Sequence, residues 1–336
     1  AIVATIKQVF KSTFKFRFAK DWKTDEMLSK QTDRALKNCK YKIVHFWPEY
    51  ASSVINDRIK KITDTIYIAD MYMPNPIVIL DEMRPVYEHY GLNDNSNTWL
   101  EDYASKIEGH FKYVNNIMVA SSYVADTMKI SFPEKNYIIV PYGITISPRY
   151  KKKCNYSKIY KFVYVGRISV EKGCDILLDW FAKHQAFEVN LFGEIDSAQK
   201  RIFENYYKFD NVKFHGSVSK VQLRNEIPKC DIGIHLSRFD AYSLAVGEII
   251  GCGVPVIVSD KNGIKDDVQK YGFGIVSKLT IEDVDSSIKK MCNRDFYQSC
   301  INAIDTYIIS SPKSFGEIVV DKYSYLLQQH SNRNRL

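Results

Sequence analysis

Four charged side chains in this 336-residue chain stand at spacings that suit chemistry on a diphosphate. Arg167 and Lys172, five residues apart, lie just beyond the apolar run Lys161-Phe162-Val163-Tyr164-Val165. Cations at a strand-to-helix junction can grip a diphosphate from one side. Asp240 and Glu248 straddle the start of the segment Ser243–Gly251, where Leu244, Val246, Ile249 and Ile250 give a short helix one apolar face. A helix start offers unpaired N–H groups and a positive dipole end to an anion. Acids on either side of it can accept hydrogen bonds from hydroxyls that flank the anion. A sugar joined to a nucleoside through a diphosphate presents that order: hydroxyls, negative charge, hydroxyls. Taken alone, a loop acid at Asp240 and a solvated helix face at Glu248 form an equal alternative, because acid, helix and Gly-Pro turn recur among α/β proteins. Arg167 and Lys172 could also be solvated cations, and their strand-end placement is what favours a ligand.

These residues need strands that end together and helices that start beside them. Gly251 and Gly253 stop the helix, and Pro255 precedes the β-branched run to Val258, which reads as a strand buried on both faces. Upstream, strands are expected at Tyr41–Trp47, Thr65–Ala69, Asn116–Ala120 and Tyr137–Val140. Helices are expected at Thr24–Asn38, Glu49–Lys61, Ile77–Tyr90 and Asn97–Val114, with Ser122 capping one through Met128. Downstream, strands at Lys161–Val165, Val189–Phe192, Val212–Gly216 and Asp231–Leu236 alternate with helices at Asp175–Phe181 and Val218–Pro228. Ser259–Asp267 reads as a strand-end loop, and Ile318–Gln329 as a last helix that packs on the first domain. Strands alternating with helices imply parallel sheets. The basic stretch Pro148–Lys153 reads as a linker. His215 and His235 are expected to be structural. Phe14, Phe16 and Phe18 alternate with Lys15 and Arg17, which fits an edge strand better than a membrane-surface stretch.

The length suits two α/β domains, and 45% hydrophobic residues can supply a core for each. No apolar run approaches a membrane span, and no cleavable leader is visible, so a soluble cytoplasmic protein is expected. The seven cysteines are scattered without metal-ligand spacing, which favours reduced thiols and no metal site. A net charge of +8 favours anionic partners. Nucleic acid is disfavoured, because no helix carries a clustered basic face.

In order along the chain, four motifs resemble those of retaining GT-B glycosyltransferases of family 4 (glycosyltransferases group 1). Val165-Gly166-Arg167 with Glu171-Lys172-Gly173 resembles the family's donor-diphosphate grip. Asp240 and Glu248 resemble its two acids separated by seven residues, with Asp in place of the commoner Glu. Gly251-Cys252-Gly253-Val254-Pro255 resembles the turn after them, and Phe214-His215-Gly216 the turn near the nucleoside.

The resemblance implies two Rossmann-like parallel-sheet domains facing a central cleft. The acceptor domain would be 1–149, completed by a returning helix at 313–336, and the donor domain 150–312. It implies Arg167, Lys172 and Asp240 at the reacting centre. Gly166, Gly193, Gly216, Tyr242, Ser243, Leu244, Ala245 and Glu248 would bind a UDP- or GDP-type sugar, with no cofactor required. A glycan or lipid-linked glycan would accept the sugar, with peripheral contact at the inner membrane face. The family's first-domain glycine loop has no counterpart before Gly91, and its strand-end histidine is matched only by His45 and Asp70 on the acceptor side. The alternatives are a nucleotide-sugar-binding protein with impaired transfer, an epimerase or phosphorylase on the same fold, and a phage-type DNA glycosyltransferase.

Overall fold

The computed structural model describes residues 30–32, 34, 36, 41–48, 55, 57, 59, 64–92, 95–148, 161–310 and 312–333. The strand expected at Phe14–Phe18 and the linker from Arg149 onward lie outside the described residues. Of the helices expected at Thr24–Asn38 and Glu49–Lys61, only scattered helical positions are described.

The first sheet holds β1 (Ile43–Phe46), β2 (Ile66–Met71), β3 (Asn116–Val119) and β4 (Asn136–Ile139), all parallel and in sequential order. Between them run α1 (Pro76–Tyr90), α2 (Asn95–Phe111) and α3 (Ser122–Ser131). Asn75 caps α1 by accepting from the Ile77 N–H at 3.1 Å, with Pro76 at the first helical position. Gly91 in the left-handed region ends it. The cap of α3 is Ser121 rather than the expected Ser122, because Ser121 has the extended backbone that lets its hydroxyl accept from the Val124 N–H.

The second sheet follows with β5 (Lys161–Val165), α4 (Cys174–Lys183), β6 (Glu188–Phe192), α5 (Lys200–Glu204), β7 (Val212–Gly216), α6 (Lys220–Glu226) and β8 (Ile232–His235). It continues through α7 (Leu244–Gly251), β9 (Val256–Ser259), α8 (Lys265–Tyr271), β10 (Gly274–Ser277), α9 (Ile281–Met291) and α10 (Arg294–Ile309). The chain from Lys265 is a helix capped by Gly272, where the sequence suggests only a loop. Its seven residues carry too few apolar positions to show a period.

Strand order in this sheet is β10-β9-β8-β5-β6-β7, parallel throughout. The chain builds outward from β5 in one direction and then returns to build from β8 in the other. Open parallel sheets bind ligands at that reversal, beyond the carboxyl ends of the two central strands. Here those ends lead into Arg167 and Asp240.

The last helix, α11 (Phe315–Arg333), returns to the first sheet as expected, longer at both ends. Tyr323, buried, joins Ile66, Ile68, Met118, Ile138 and Val140, with Ile318, Val319, Leu326 and Leu327 packed around them. Each side chain of this size contributes about 2 kcal/mol when fully buried. This helix therefore covers a sheet face that would otherwise be wet. No helix among the described residues is long and apolar enough to cross a membrane.

Candidate functional site

Arg167 and Lys172 emerge from the turn between β5 and α4. Val170 N–H donates to Gln199 Oε1 at 2.7 Å, while Lys172 N–H and Cys174 N–H both donate to the Ser169 carbonyl at 3.2 Å. Glu171 lies inside this turn, buried, and accepts from Gln199 Nε2 at 2.9 and 3.0 Å. Burial pushes its carboxyl up, but hydrogen bonds from Ser169, Gln199 and Tyr87 outweigh that and hold it below the ordinary value. Arg238 supports the turn from outside. Its guanidinium donates to the Val170 carbonyl and forms a bidentate pair with Asp175 at 2.7 and 2.8 Å.

The turn thus aims two cations at the sheet's reversal point. Arg167 is mostly exposed, with Nη1 3.4 Å from Asp196 Oδ2. Lys172 Nζ donates to Asp240 Oδ2 at 2.7 Å, joining residues 68 apart in sequence. The chain segments that carry them touch at Gly173, where a Cβ would stand 1.8 Å from the Leu236 carbonyl oxygen.

Asp240 is held on three sides. Its Oδ1 accepts from Ser243 N–H at 2.7 Å and from Tyr242 N–H at 3.2 Å, while Oδ2 faces Lys172. Burial raises its carboxyl pKa, but the charges of Lys172 and His235 and the bonds from Lys172 and Tyr242 leave it below the ordinary carboxylate value. Ser243 adopts φ 60°, the one positive φ at a non-glycine among the described residues. Such a conformation costs on the order of 1–3 kcal/mol and persists where its surroundings fix it. Here the bond to Asp240 fixes it, at the mouth of α7.

From there α7 opens with Leu244 and Ala245, whose N–H groups have no acceptor within the helix. The Leu244 side chain is 61% exposed. Glu248, one turn in, lies 3.7 Å from Lys220 Nζ. Of the expected donor residues, Tyr242 contributes backbone only. Its ring is buried and its hydroxyl is bonded to Asp267 and to Gly143 N–H.

Gly166 and Gly193 have φ of 143° and 151°, and a Cβ on Gly193 would reach 1.9 Å from the Gly166 carbonyl oxygen. The strand ends meet there without side chains between them. Gly193 N–H donates to the Gly216 carbonyl at 2.9 Å, so the three expected glycines form one bare ledge beside the cations.

His235, buried at the end of β8, is structural as expected. It stacks on Tyr164 at 5.1 Å and shares its Nδ1 with Ser237 Oγ at 2.9 Å. Burial first, and the Lys172 charge after it, hold its pKa down to about 4, against a partial opposing pull from Asp240. An unfolded imidazole takes its proton near 6.5. Stability is therefore full above that value and falls as pH drops toward 4. Between pH 7 and 5 the native chain should lose about 2 kcal/mol more stability than His235→Gln, read from urea midpoints at each pH.

On the first-domain side the structure brings His45 and Asp70 together. His45 Nε2 lies 3.5 Å from Asp70 Oδ2, near enough for charge attraction but without a hydrogen bond, and Nδ1 is 2.6 Å from the Tyr323 hydroxyl of α11. Tyr142 edges onto Tyr242 at 5.5 Å and onto Phe315 at 5.6 Å. Burial, with the carboxylates of Asp70 and Asp240, lifts its hydroxyl to about 12. Tyr142 thus senses the acids of both domains from the seam between them.

Sequence reasoning missed Gln199, Arg238, Asp267 and the first-domain tyrosines on α1. Glu171 belonged to a quoted motif, but nothing local showed that its carboxylate points inward. No group of three or more His, Cys, Asp or Glu side chains among the described residues could hold a metal ion.

Residues 149–304 match the family model of glycosyl transferases group 1. Among solved structures, sucrose-phosphate synthase from Thermosynechococcus elongatus superposes with a TM-score of 0.64 at 14% identity, over 96% of this chain and 82% of that one. Anabaena HepE in complex with UDP gives 0.60 at 14% identity, over 90% and 82%. An E. coli structure, described as trehalose-6-phosphate bound with UDP-2-fluoro glucose, gives 0.60 at 9% identity, over 90% and 77%. These likenesses establish the GT-B fold. An uncharacterized 41.2 kDa protein in the cps region of Klebsiella pneumoniae is 27% identical over 146 residues, which span 42% of this chain and 39% of that protein.

Proposed function

We propose that this chain, GT-B in fold and a group 1 glycosyltransferase over its residues 149–304, moves a sugar from a nucleotide diphosphate to an acceptor hydroxyl with retention of configuration. The observation that carries this reading is the convergence of Arg167, Lys172, Asp240 and the start of α7 at the sheet's reversal point, with Glu248 one turn in.

In this reading the bond from the anomeric carbon to the diphosphate oxygen breaks and its electron pair stays with the departing diphosphate. The acceptor oxygen bonds to the same face of that carbon, and its proton passes to the leaving diphosphate. Arg167, Lys172 and the first N–H groups of α7 stabilise the negative charge that develops there. They supply the cationic charge, so no metal is called on. Asp240 orients the sugar and Glu248 accepts from the ribose hydroxyls. The bare ledge of Gly166, Gly193 and Gly216 admits the nucleoside. His45 and Asp70 face the acceptor, a glycan or lipid-linked glycan. The cps-region relative supports a role in polysaccharide synthesis.

A thermal-shift panel of UDP, GDP and their sugars tests the reading, since a ligand that binds the folded state raises its midpoint. One donor should stabilise the chain and slowly release free nucleotide. Glu248→Ala should weaken that donor about tenfold, the worth of one charge-assisted hydrogen bond. No stabilisation by any nucleotide would overturn the proposal.

A further inference from the structure

The two domains touch across the cleft through polar groups of α1. Glu82 pairs with Lys261, in the loop after β9. Tyr90 donates to Asp175 Oδ2 at 3.0 Å. Tyr87, on the same helix, donates its hydroxyl to Glu171 Oε1 at 2.8 Å. Tyr90 reaches an acid already paired with Arg238. Tyr87 reaches into the cation-bearing turn itself, to the carboxylate next to Lys172.

We propose that Tyr87 is a positioning residue for the donor diphosphate: a first-domain hydroxyl that fixes the Glu171 carboxylate, and through it the 169–173 turn that presents Arg167 and Lys172. This rests on the nucleotide-sugar reading above and deepens it, by making the grip on the diphosphate depend on both domains.

Glu171 is a buried anion whose donors are Ser169 and Gln199 from its own domain and Tyr87 from the other. Gln199 ties this carboxylate to the Val170 N–H, so the side chain and the backbone of the turn form one bonded unit. A buried carboxylate left short of a donor shifts toward those that remain, here Ser169 and Gln199. Because Gln199 also holds the Val170 N–H, such a shift moves the backbone that carries Lys172. The Tyr87 hydroxyl also stands in the fields of Arg167 and Asp196, and burial, with Glu171 beside it, keeps it protonated and able to donate. A first-domain group thereby completes the second domain's phosphate grip when the cleft is closed. Closure and diphosphate binding are then linked, and each favours the other.

The test is isothermal titration of UDP, GDP and uridine into the native chain, Tyr87→Phe and Tyr90→Phe. Phenylalanine keeps the ring and removes one hydroxyl. Tyr87→Phe should bind the preferred diphosphate roughly fivefold to tenfold more weakly. Uridine, which lacks phosphates, should bind both proteins alike, and Tyr90→Phe should match the native chain for every ligand. With the donor sugar, Tyr87→Phe should raise KM more than it lowers kcat.

Equal losses in the two variants, or a loss for uridine as large as for the diphosphate, would make the contact a general clasp and overturn the assignment. Unchanged diphosphate affinity in Tyr87→Phe beside firm binding by the native chain overturns this inference alone. No diphosphate binding by the native chain removes the nucleotide-sugar reading and this inference together. Hydrogen exchange on the native chain supplies a measurement that needs no variant. UDP should slow exchange in peptides covering 83–90 as well as 167–173, and protection of 167–173 alone would count against the link.

Discussion

Arg167→Ala and Lys172→Ala should each cut nucleotide release from the donor by about 100- to 1,000-fold, and only the second should also lower the melting temperature. The catalytic loss is the size expected when a preorganised group facing developing charge is removed. The stability difference follows from what each cation touches. Arg167 is more than half exposed and its pairing with Asp196 at 3.4 Å is loose, so its removal costs little in water. Lys172 and Asp240 are 24% and 15% exposed and 2.7 Å apart. Taking Lys172 away strands the Asp240 carboxylate with two backbone N–H donors, a loss of about 1–3 kcal/mol.

The stranded carboxyl should also titrate closer to its ordinary value. Asp240 is held below that value in the native chain, so its contribution to stability is full above the unfolded pKa of 3.8 and fades only as pH falls through the lower folded value. In Lys172→Ala that contribution should be smaller and its loss complete at a higher pH. Thermal melts of both variants from pH 7 down to pH 3, run beside donor hydrolysis, separate the two roles. A Lys172→Ala protein as stable as the native chain at every pH would show that the pair does not hold the loop.

Gly173→Ala should destabilise the chain by more than about 4 kcal/mol, the range reserved for outright steric conflict. Gly173 has φ 66°, and a methyl there would sit 1.8 Å from one backbone atom of Leu236 and 2.7 Å from another. Neither is the tip of a flexible side chain that can swing aside. Relief requires the turn after β5 to separate from the segment after β8, which pulls Lys172 from Asp240. Gly91→Ala is the control. It has the same sign of φ, 60°, but nothing within 4 Å of the added carbon, so it should cost only about 1 kcal/mol. Urea midpoints for the two variants measure the difference directly. Equal midpoints would mean the turn can yield, and the close approach would then not be what holds the site together.

Much of the donor side was legible because its signals are local. The β-branched run before Val258 fits only a strand buried on both faces. Leu244, Val246, Ile249 and Ile250 mark one face of a helix, and glycines stand where the chain must turn. The motifs at Arg167–Gly173 and Asp240–Glu248 sit at strand ends because their flanking apolar runs are strands. The same holds for α1, expected over Ile77–Tyr90 and found over Pro76–Tyr90. Helix α8 escaped notice because seven residues are too few to show a period. The serine cap shifted by one because Ser121 and Ser122 are equivalent as letters and differ only in backbone conformation.

The sequence by itself determined the alternation of strand and helix, the residue types at each strand end and the apolar face of the last helix. All of these depend on neighbours within a few residues. Only the tertiary structure decided that β5 and β8 lie side by side, which joins Lys172 to Asp240 across 68 positions. It alone set His45 against Asp70 and Tyr323, turned the Tyr242 ring away from the site, and carried Tyr87 into the turn beside Lys172. Periodicity records which face of an element is buried. It does not record which partner covers that face, because strand order and domain closure are settled by packing between segments far apart in the chain.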